Sequence, residues 1–112
     1  MSSALQAVEL KTFVPAKDFA LSKRFYTELG FVQRSEGGGV AYFCVDHSAF
    51  LLHDFYEQAL ADNLVMHLLV PDVQAWRAHV DAQDLAGRYG SRITPVKAQP
   101  WGITEVVLID PC

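Results

Sequence analysis

Long runs of positive charge are missing from this sequence. Its 112 residues include 9 Lys and Arg against 13 Asp and Glu, which gives a formal net charge of −4 at pH 7. The longest basic run is the pair Lys23-Arg24. Because proteins that follow a nucleic-acid backbone need clustered basic side chains, this pattern argues against binding to DNA or RNA.

Cysteines and long apolar runs are also scarce. Cys44 lies inside an apolar segment and Cys112 is the last residue, a pattern that does not indicate a disulfide framework and favours a reducing cytoplasm. No apolar run approaches the roughly 20 residues that cross a bilayer. Residues 1–6 lack the basic start and apolar stretch of a secretory signal peptide. We therefore expect a cytoplasmic protein that contacts no membrane.

The composition that remains is that of one packed domain. Hydrophobic residues make up 51% of the chain and charged residues 20%, as in ordinary globular proteins. A chain of 112 residues is long enough to bury one hydrophobic core. We therefore expect residues 1–112 to form a single domain.

A short phrase occurs twice, half a chain apart. Val14-Pro15 is followed by Asp18, and Val70-Pro71 is followed by Asp72. In both places a run with strand character leads to a proline and then to an aspartate that can cap a helix. A period this long in so short a chain indicates a duplicated unit. Two such units facing each other form a cleft, where small molecules usually bind.

The first unit, at about residues 8–56, predicts the element order βαβββ. Alternation along its first strand places Glu9, Lys11 and Phe13 on one face. The predicted segments are a strand over 8–14 that Pro15 ends, a helix from Asp18 to Gly30, a strand from Phe31 to the turn Gly37-Gly38-Gly39, and strands over 40–45 and 49–56. Since half-buried strands favour aromatic residues, four of them are expected in the core: Phe43, Phe50, Phe55 and Tyr56.

The second unit, at about residues 64–112, repeats this order and stops one strand short. Its predicted segments are a strand over 64–70, a helix after Asp72 with Gly87 near its end, a short strand around 92–94 and a strand over 103–109. The helical spacing predicts an inward stripe of Val73, Trp76, Val80 and Gln83. His79 falls on the opposite, solvated side of this helix.

Two stretches of the sequence carry a family resemblance. The first runs from Val14-Pro15 through Phe25-Tyr26 to Leu29-Gly30-Phe31, and the second is Pro100-Trp101-Gly102 followed by Asp110-Pro111. They resemble the opening module and the closing hairpin of the glyoxalase, bleomycin-resistance and extradiol-dioxygenase (vicinal oxygen chelate) superfamily, in its bleomycin-resistance-like branch. The resemblance implies an α+β fold of two tandem βαβββ modules whose curved sheets surround a cleft. Here the second module lacks its last strand.

The resemblance also implies where a metal would bind. Enzymes of this superfamily hold a divalent metal with a His or Glu from each of four strands, two per module. The matching positions of the first module are Glu9 and His53. The second module offers Val65, which cannot bind a metal, and the fourth position would follow Asp110-Pro111, where the sequence ends. We therefore predict no bound metal and no cofactor.

His67 offers another interpretation of this region. His67 lies two residues after Val65, so both side chains are expected on the same face of the predicted strand. Together with Glu9 and His53, His67 would give a zinc or iron site with three protein ligands. However, His67 is offset from the matching position by two residues, roughly 6.6 Å along a strand. Histidines that are hydrogen-bonded in or near a cleft are therefore the favoured interpretation.

The predicted cleft mixes aromatic and charged side chains, which suits a planar or charged small organic molecule. A solvated cross-strand pair is an equally good interpretation of Glu9 and Lys11, and a core position is an equally good one for Trp101. The bleomycin-resistance branch implies that a homodimer sequesters a drug without chemistry, which confers antibiotic resistance. The candidate ligand-binding residues are Glu9, Lys11, Phe13, His53, His67 and Trp101.

Other functions stay open beside this one. The alternative is a metal-dependent lyase, isomerase or dioxygenase that uses Glu9 and His53 with a ligand from elsewhere, and a relic without function is a third interpretation. The apolar run over 103–109 predicts a strand with an unpaired edge, which proteins usually cover. Because two-fold dimers are the commonest closed assembly, we predict a homodimer.

Overall fold

The computed structural model describes residues 5–98, 100 and 104–109, and its first half has the predicted order βαβββ. The elements are β1 (Phe13–Pro15), α1 (Phe19–Leu29), β2 (Val32–Gly37), β3 (Val40–Val45) and β4 (Ser48–His53). Their four strands form one sheet in the order β1-β4-β3-β2. Strand β1 runs parallel to β4, and the other neighbours are antiparallel. The predicted α+β class is confirmed.

Helix α1 begins and ends where the sequence predicts. The carboxylate of Asp18 accepts a hydrogen bond from the backbone N–H of Leu21 at 3.1 Å, which satisfies one of the free donors of the first turn. Gly30 follows the last turn with a φ of 125°, a conformation that favours glycine. One stripe of the helix is buried and packs on the sheet: Ser22, Phe25, Tyr26 and Leu29.

The core lies between α1 and one face of the sheet. Alternate side chains of β3 and β4 point to this face, and Phe43 and Leu52 are completely buried there. Phe43 pairs with Phe50 across the two strands, and their rings stack with centroids 5.6 Å apart. Tyr26 of α1 meets the Phe50 ring edge-on at 4.7 Å. Burial of these large aromatic residues fixes which face of β4 is inside.

Strand β1 is shorter than the predicted strand over 8–14, and it includes the proline that was expected to end it. Pro15 lies on an edge strand, where a missing N–H is tolerated. The next N–H, of Ala16, donates to the carbonyl of His53 at 2.9 Å. Residues 8–12 form no strand. Val8 and Leu10, which the alternation places on the buried row with Val14, are fully exposed.

The second half of the chain departs from the predicted module. Its elements are α2 (Gln58–Asn63), α3 (Val73–Ala82), α4 (Leu85–Tyr89), β5 (Arg92–Ile93), β6 (Lys97–Ala98), β7 (Thr104–Glu105) and β8 (Leu108–Ile109). Antiparallel pairing joins β5 to β8 and β6 to β7 in two separate two-stranded sheets. The tandem arrangement of two βαβββ modules is therefore not confirmed. No helix of the described ranges has the length and apolarity to cross a bilayer.

Two strands predicted in this half differ from the structure for the same physical reason. Residues 64–70 form no strand, and Val65 and Leu69 are 87% and 81% exposed. The described part of the run 103–109 forms β7 and β8 with a break at 106–107, where the N–H of Val107 donates to the hydroxyl of Thr94 at 2.8 Å. A strand needs hydrogen bonds from a neighbour, and apolar alternation alone does not supply that neighbour.

Helix α3 begins as predicted, but it ends differently. The carboxylate of Asp72 accepts from the N–H of Ala75 at 3.1 Å, which repeats the cap of α1. Gln83, predicted to face inward, is exposed. Asp84 then adopts a φ of 50° and separates α3 from α4, so Gly87 lies inside α4 and not at the end of α3. A Cβ at Gly87 would lie 2.6 Å from an oxygen of the Asp84 side chain, so a larger residue there would require that carboxylate to turn away.

Glu28 joins α1 to α3 and α4. Its two carboxylate oxygens each lie 2.8 Å from a guanidinium nitrogen of Arg88, and the Tyr89 hydroxyl donates to it at 2.9 Å. Its backbone carbonyl, free at the end of α1, lies 2.7 Å from Nε2 of His79. The predicted solvated position of His79 is therefore wrong. The Arg88 hydrogen bond is the main cause of the lowered pKa of Glu28, and Tyr89 adds to it.

The buried face of β4 gives a stability prediction. We expect Leu52→Ala to lower the free energy of unfolding by about 2–5 kcal/mol, because it leaves a cavity in a closed core. The matched control is Leu60→Ala on α2, where the side chain is 58% exposed and the expected loss is within about 0.5 kcal/mol. Urea unfolding followed by circular dichroism measures both. Equal losses would contradict the placement of the core.

The Glu28 cluster gives a pH prediction. The folded state lowers the pKa of Glu28 below its usual 4.5. The stabilisation of the folded state by ionised Glu28 is therefore fully present at pH values above the usual pKa. It is lost as the pH falls through the lowered pKa. We expect the difference in unfolding free energy between wild type and Glu28→Gln to be largest near neutral pH and to shrink in acid. Urea unfolding of both proteins at about pH 7 and about pH 3.5 tests this. A difference that is the same at both pH values would contradict it.

Candidate functional site

The sheet face opposite the core, here called the free face, carries the candidate site. Phe13 of β1 pairs with Leu51 of β4, and Leu51 pairs with Tyr42 of β3. These three side chains therefore lie side by side across three strands. His53 lies two residues beyond Leu51 and points to the same face. All four are at least partly exposed, so the free face is accessible at this point.

A cavity of about 440 Å³ opens at the end of β1 and β4. Helix α2 closes one side of it with Leu60, and Leu64 follows just after that helix. The volume is in the range of small-molecule sites. The described residues that line the cavity are Thr12, Phe13, Pro15, His53, Phe55, Leu60 and Leu64.

Three rings form one wall of this cavity. The ring centroids of Phe13 and His53 are 5.5 Å apart with a 57° tilt. Those of His53 and Phe55 are also 5.5 Å apart, and the rings are stacked at 28°. Phe13 and Phe55 are 54% and 50% exposed, so ring surface remains available to a flat ligand. We call Phe13, His53 and Phe55 the ring wall.

Phe55 reaches the ring wall because β4 ends earlier than predicted. The predicted strand over 49–56 stops at His53, and the N–H of Phe55 donates to the His53 carbonyl at 2.8 Å. This turn brings Phe55 beside His53 instead of continuing the strand alternation. The expectation that Phe55 lies in the core is therefore wrong.

Glu9 and Lys11 meet Tyr42 on the free face. The Glu9 carboxylate accepts from the Tyr42 hydroxyl at 3.0 and 2.9 Å and pairs with Nζ of Lys11 at 2.5 Å. That ammonium also lies 5.0 Å from the centre of the Tyr42 ring. The hydrogen bond from Lys11 is the main cause of the lowered pKa of Glu9, and Glu9 in turn raises the pKa of both partners. Two of the predicted site residues are thus engaged with each other and with a tyrosine.

Of the two remaining predicted site residues, His67 lies in the described part of the chain. His67 lies in the extended segment 64–70, is exposed, and is not among the described residues that line the cavity. Trp101 lies outside the described residues. Within the described part of the chain, no three His, Cys, Asp or Glu side chains are placed to hold a metal ion together.

The sequence interpretation missed Tyr42, Leu60 and Leu64. Tyr42 lies between Ala41 and Phe43, so alternation along the strand places its side chain on the opposite face, the free face. Its contact with Glu9 depends on strand pairing, which the sequence does not show. The leucines belong to the run Gln58–Asn63 and the residue after it. This run is rich in good helix formers, and the four-residue spacing of Leu60 and Leu64 is a helical signal.

The chemistry of the cavity favours binding. Among its described lining residues, only Thr12 and His53 bring a polar side-chain group, and the rest are apolar. Apolar walls with a few polar groups for orientation are typical of sites for small organic molecules. The ring wall adds stacking surface for an aromatic group.

Comparison with known proteins gives structural matches and no sequence matches. No family model matches the chain, and no curated protein does. The bleomycin resistance determinant encoded on the transposon Tn5 superposes with a TM-score of 0.76 at 22% identity, over 93% of this chain and 90% of that one. The bleomycin-binding protein of Streptomyces verticillus, complexed with copper(II)-bleomycin, gives 0.77 at 22% identity, over 96% and 90%.

An enzyme superposes as well. Lactoylglutathione lyase from Agrobacterium tumefaciens gives a TM-score of 0.61 at 16% identity, over 96% of this chain and 88% of that one. The matches extend over nearly the whole of each chain, while the identities are low. They confirm at the level of fold the resemblance drawn from residues 14–31 and 100–111: the chain has the fold that these bleomycin proteins share with lactoylglutathione lyase.

Proposed function

We propose that the protein binds a small organic molecule with a flat aromatic group in the cavity at the end of β1 and β4. The observation that carries this proposal is the ring wall, in which Phe13 and Phe55 flank His53 and remain half exposed. Large exposed aromatic side chains beside a concave surface favour stacking with a ligand. The structural likeness to a bleomycin resistance determinant and to a bleomycin-binding protein supports the same class of function.

The proposed role is sequestration of a drug, as in antibiotic resistance, with no chemical change to it. Thr12 and His53 orient the ligand, and the leucines of α2 and its end cover its apolar surface. Since one fold carries many functions, the fold alone does not choose between binding and catalysis. The composition of the cavity supports binding.

The proposal includes independence from metal. The Glu9 carboxylate, one of the two first-module positions that the resemblance implies as ligands, is held by Lys11 and Tyr42. Val65, at a third such position, has no ligand atom and points into solvent. His53, the other first-module position that the resemblance implies, belongs to the ring wall. These placements support a site that works through stacking and apolar contact.

We further propose that the protein acts in the cytoplasm as a homodimer. Cys44 is a buried free thiol, which fits a reducing compartment. Three exposed apolar side chains, Val65, Met66 and Leu69, lie within five residues of one extended segment. An exposed apolar segment of this kind favours a protein–protein contact.

Binding to bleomycin tests the function. We expect saturable binding in isothermal titration calorimetry, and we expect Phe13→Ala to weaken it by about tenfold, because a stacking ring is lost together with its contact area. The matched control is Phe19→Ala on α1, whose ring lies beneath the ammonium of Lys23 and does not line the cavity. The control is expected to bind like wild type.

The same titration separates the outcomes. Protein dialysed against EDTA is expected to bind metal-free bleomycin, since the ring wall uses no metal. A divalent metal that the purified protein retains in stoichiometric amount before treatment with EDTA, measured by elemental analysis, would contradict metal independence. Absence of saturable binding in folded protein would overturn the proposed ligand class, and equal weakening in both phenylalanine variants would move the site away from the cavity.

The mass in solution tests the homodimer. Light scattering coupled to size-exclusion chromatography at micromolar concentration is expected to give twice the 12.5 kDa mass of one chain. The double variant Val65→Lys, Leu69→Lys should shift the protein toward one chain mass, because it places charges in the proposed contact. A wild-type mass of one chain would contradict the homodimer, and a dimer unaffected by the double variant would place the contact elsewhere.

A further inference from the structure

The segment before β1 crosses the free face of the sheet. Phe13 lies on β1, whereas Glu9 is bonded to Tyr42 on β3, two strands away. Strands are roughly 4.8 Å apart, so β1 and β3 are roughly 10 Å apart, a distance that the backbone of residues 9–12 and the side chains of Glu9 and Tyr42 span together. At Thr12 the chain still lies beside β4 in the plane of the sheet, because the Thr12 carbonyl accepts the N–H of Leu51 at 2.9 Å, so the crossing is made by residues 9–11.

The attachment of this segment is polar and local. Val8 and Leu10 are 103% and 95% exposed, so their side chains give no apolar anchor. Among the described residues, the contacts that tie residues 8–11 to the sheet come from Glu9 and Lys11, and both go to Tyr42. We call these contacts the Glu9 clasp. Its charged side chains are 32% and 27% exposed, so water competes with the bonds and the clasp can open.

We propose that residues 8–11 form a strap over the free face, that the Glu9 clasp holds it closed on Tyr42, and that its release controls access to the surface beside the cavity. Thr12 lines the cavity and directly follows the strap. Release therefore extends the accessible surface from the ring wall across Leu51 to Tyr42. The part of this inference that concerns access rests on the proposed function, whereas the closed strap does not.

A ligand couples to such a strap through differential affinity. A compact aromatic molecule occupies the cavity in both states and leaves the equilibrium of the strap unchanged. A longer molecule that also needs the surface over Leu51 and Tyr42 binds the open state and shifts the population toward it. The clasp then lowers the affinity for long ligands relative to compact ones, and the strength of the Tyr42 hydrogen bond determines by how much.

Limited digestion by trypsin, without any ligand, tests the strap. Trypsin cleaves after Lys11, and cleavage after the exposed Lys97 of β6 serves as the reference within the same molecule. We expect Tyr42→Phe, which removes the hydroxyl that donates to Glu9, to raise the ratio of Lys11 to Lys97 cleavage at least about threefold. The matched control is Tyr56→Phe, which removes a hydroxyl away from the clasp and should leave the ratio unchanged.

An unchanged ratio in Tyr42→Phe would overturn the strap, and so would an equal rise in Tyr56→Phe. General unfolding of a variant would also raise cleavage after Lys97, so the ratio is read only for variants whose circular dichroism and absolute rate of cleavage after Lys97 match those of wild type. Failure of bleomycin binding with the expected digestion result would overturn the proposed function and leave the closed strap in place.

The ionisation of Tyr42 gives a second readout. The hydrogen bond to Glu9 is the main cause of a pKa of Tyr42 above its usual 10.0, and burial and the Glu9 charge add to it, while Lys11 acts against it. We expect Glu9→Gln to lower this pKa toward its usual value. Ultraviolet titration of tyrosinate, with the Tyr42→Phe titration subtracted in each background, isolates the residue. A pKa that does not change in Glu9→Gln would show that the clasp is absent in solution and would overturn the strap.

Discussion

The alternation of side chains along β4 is the constraint on which both the core and the candidate site depend. Leu52 is fully buried against α1, so its neighbours Leu51 and His53 must point to the opposite face. A slip of one residue would exchange these two sets and place an imidazole in the aromatic core. The packing of Leu52 therefore positions the site, even though Leu52 does not touch the cavity. Pairing on both sides of β4 then brings Phe13 and Tyr42 to the same surface.

Local signals in the sequence predicted the elements of the first half well, because each has its own stop and start. Asp18 caps α1, Gly30 ends it, and glycines at positive φ form the turn between β2 and β3. In the second half only the caps are local. Asp72 begins α3 as predicted, but the apolar runs 64–70 and 103–109 were predicted as strands from alternation alone. Alternation describes one chain, and a strand exists only where a second one accepts and donates its hydrogen bonds.

The candidate site was predictable to the same extent. Phe13 and His53 follow from strand parity together with the family resemblance, and both line the cavity. Tyr42 has a clear parity as well, but its role requires knowing that Leu51 lies between it and Phe13. Phe55 could not be placed from periodicity, since the chain turns after His53 and ends the pattern there. Leu60 and Leu64 reach the cavity because of helix α2, which is too short to show a clear helical periodicity in the sequence. The composition of this segment nevertheless favours a helix.

The division of the free face into apolar and charged parts fits the two roles proposed for it, affinity for a ligand and selection between ligands. The cavity end holds rings and leucines, and contact with these surfaces grows with the aromatic area of a ligand. The Tyr42 end holds a carboxylate and an ammonium that already satisfy each other, so a ligand gains little there unless it replaces those bonds. In the proposed function the ring wall therefore sets most of the affinity, and in the proposed strap the Glu9 clasp discriminates between ligands of different length. Phe13, His53 and Tyr42 all lie on strands held by the same core, so the ring wall and the Tyr42 side of the clasp keep a fixed separation while residues 8–11 open or close.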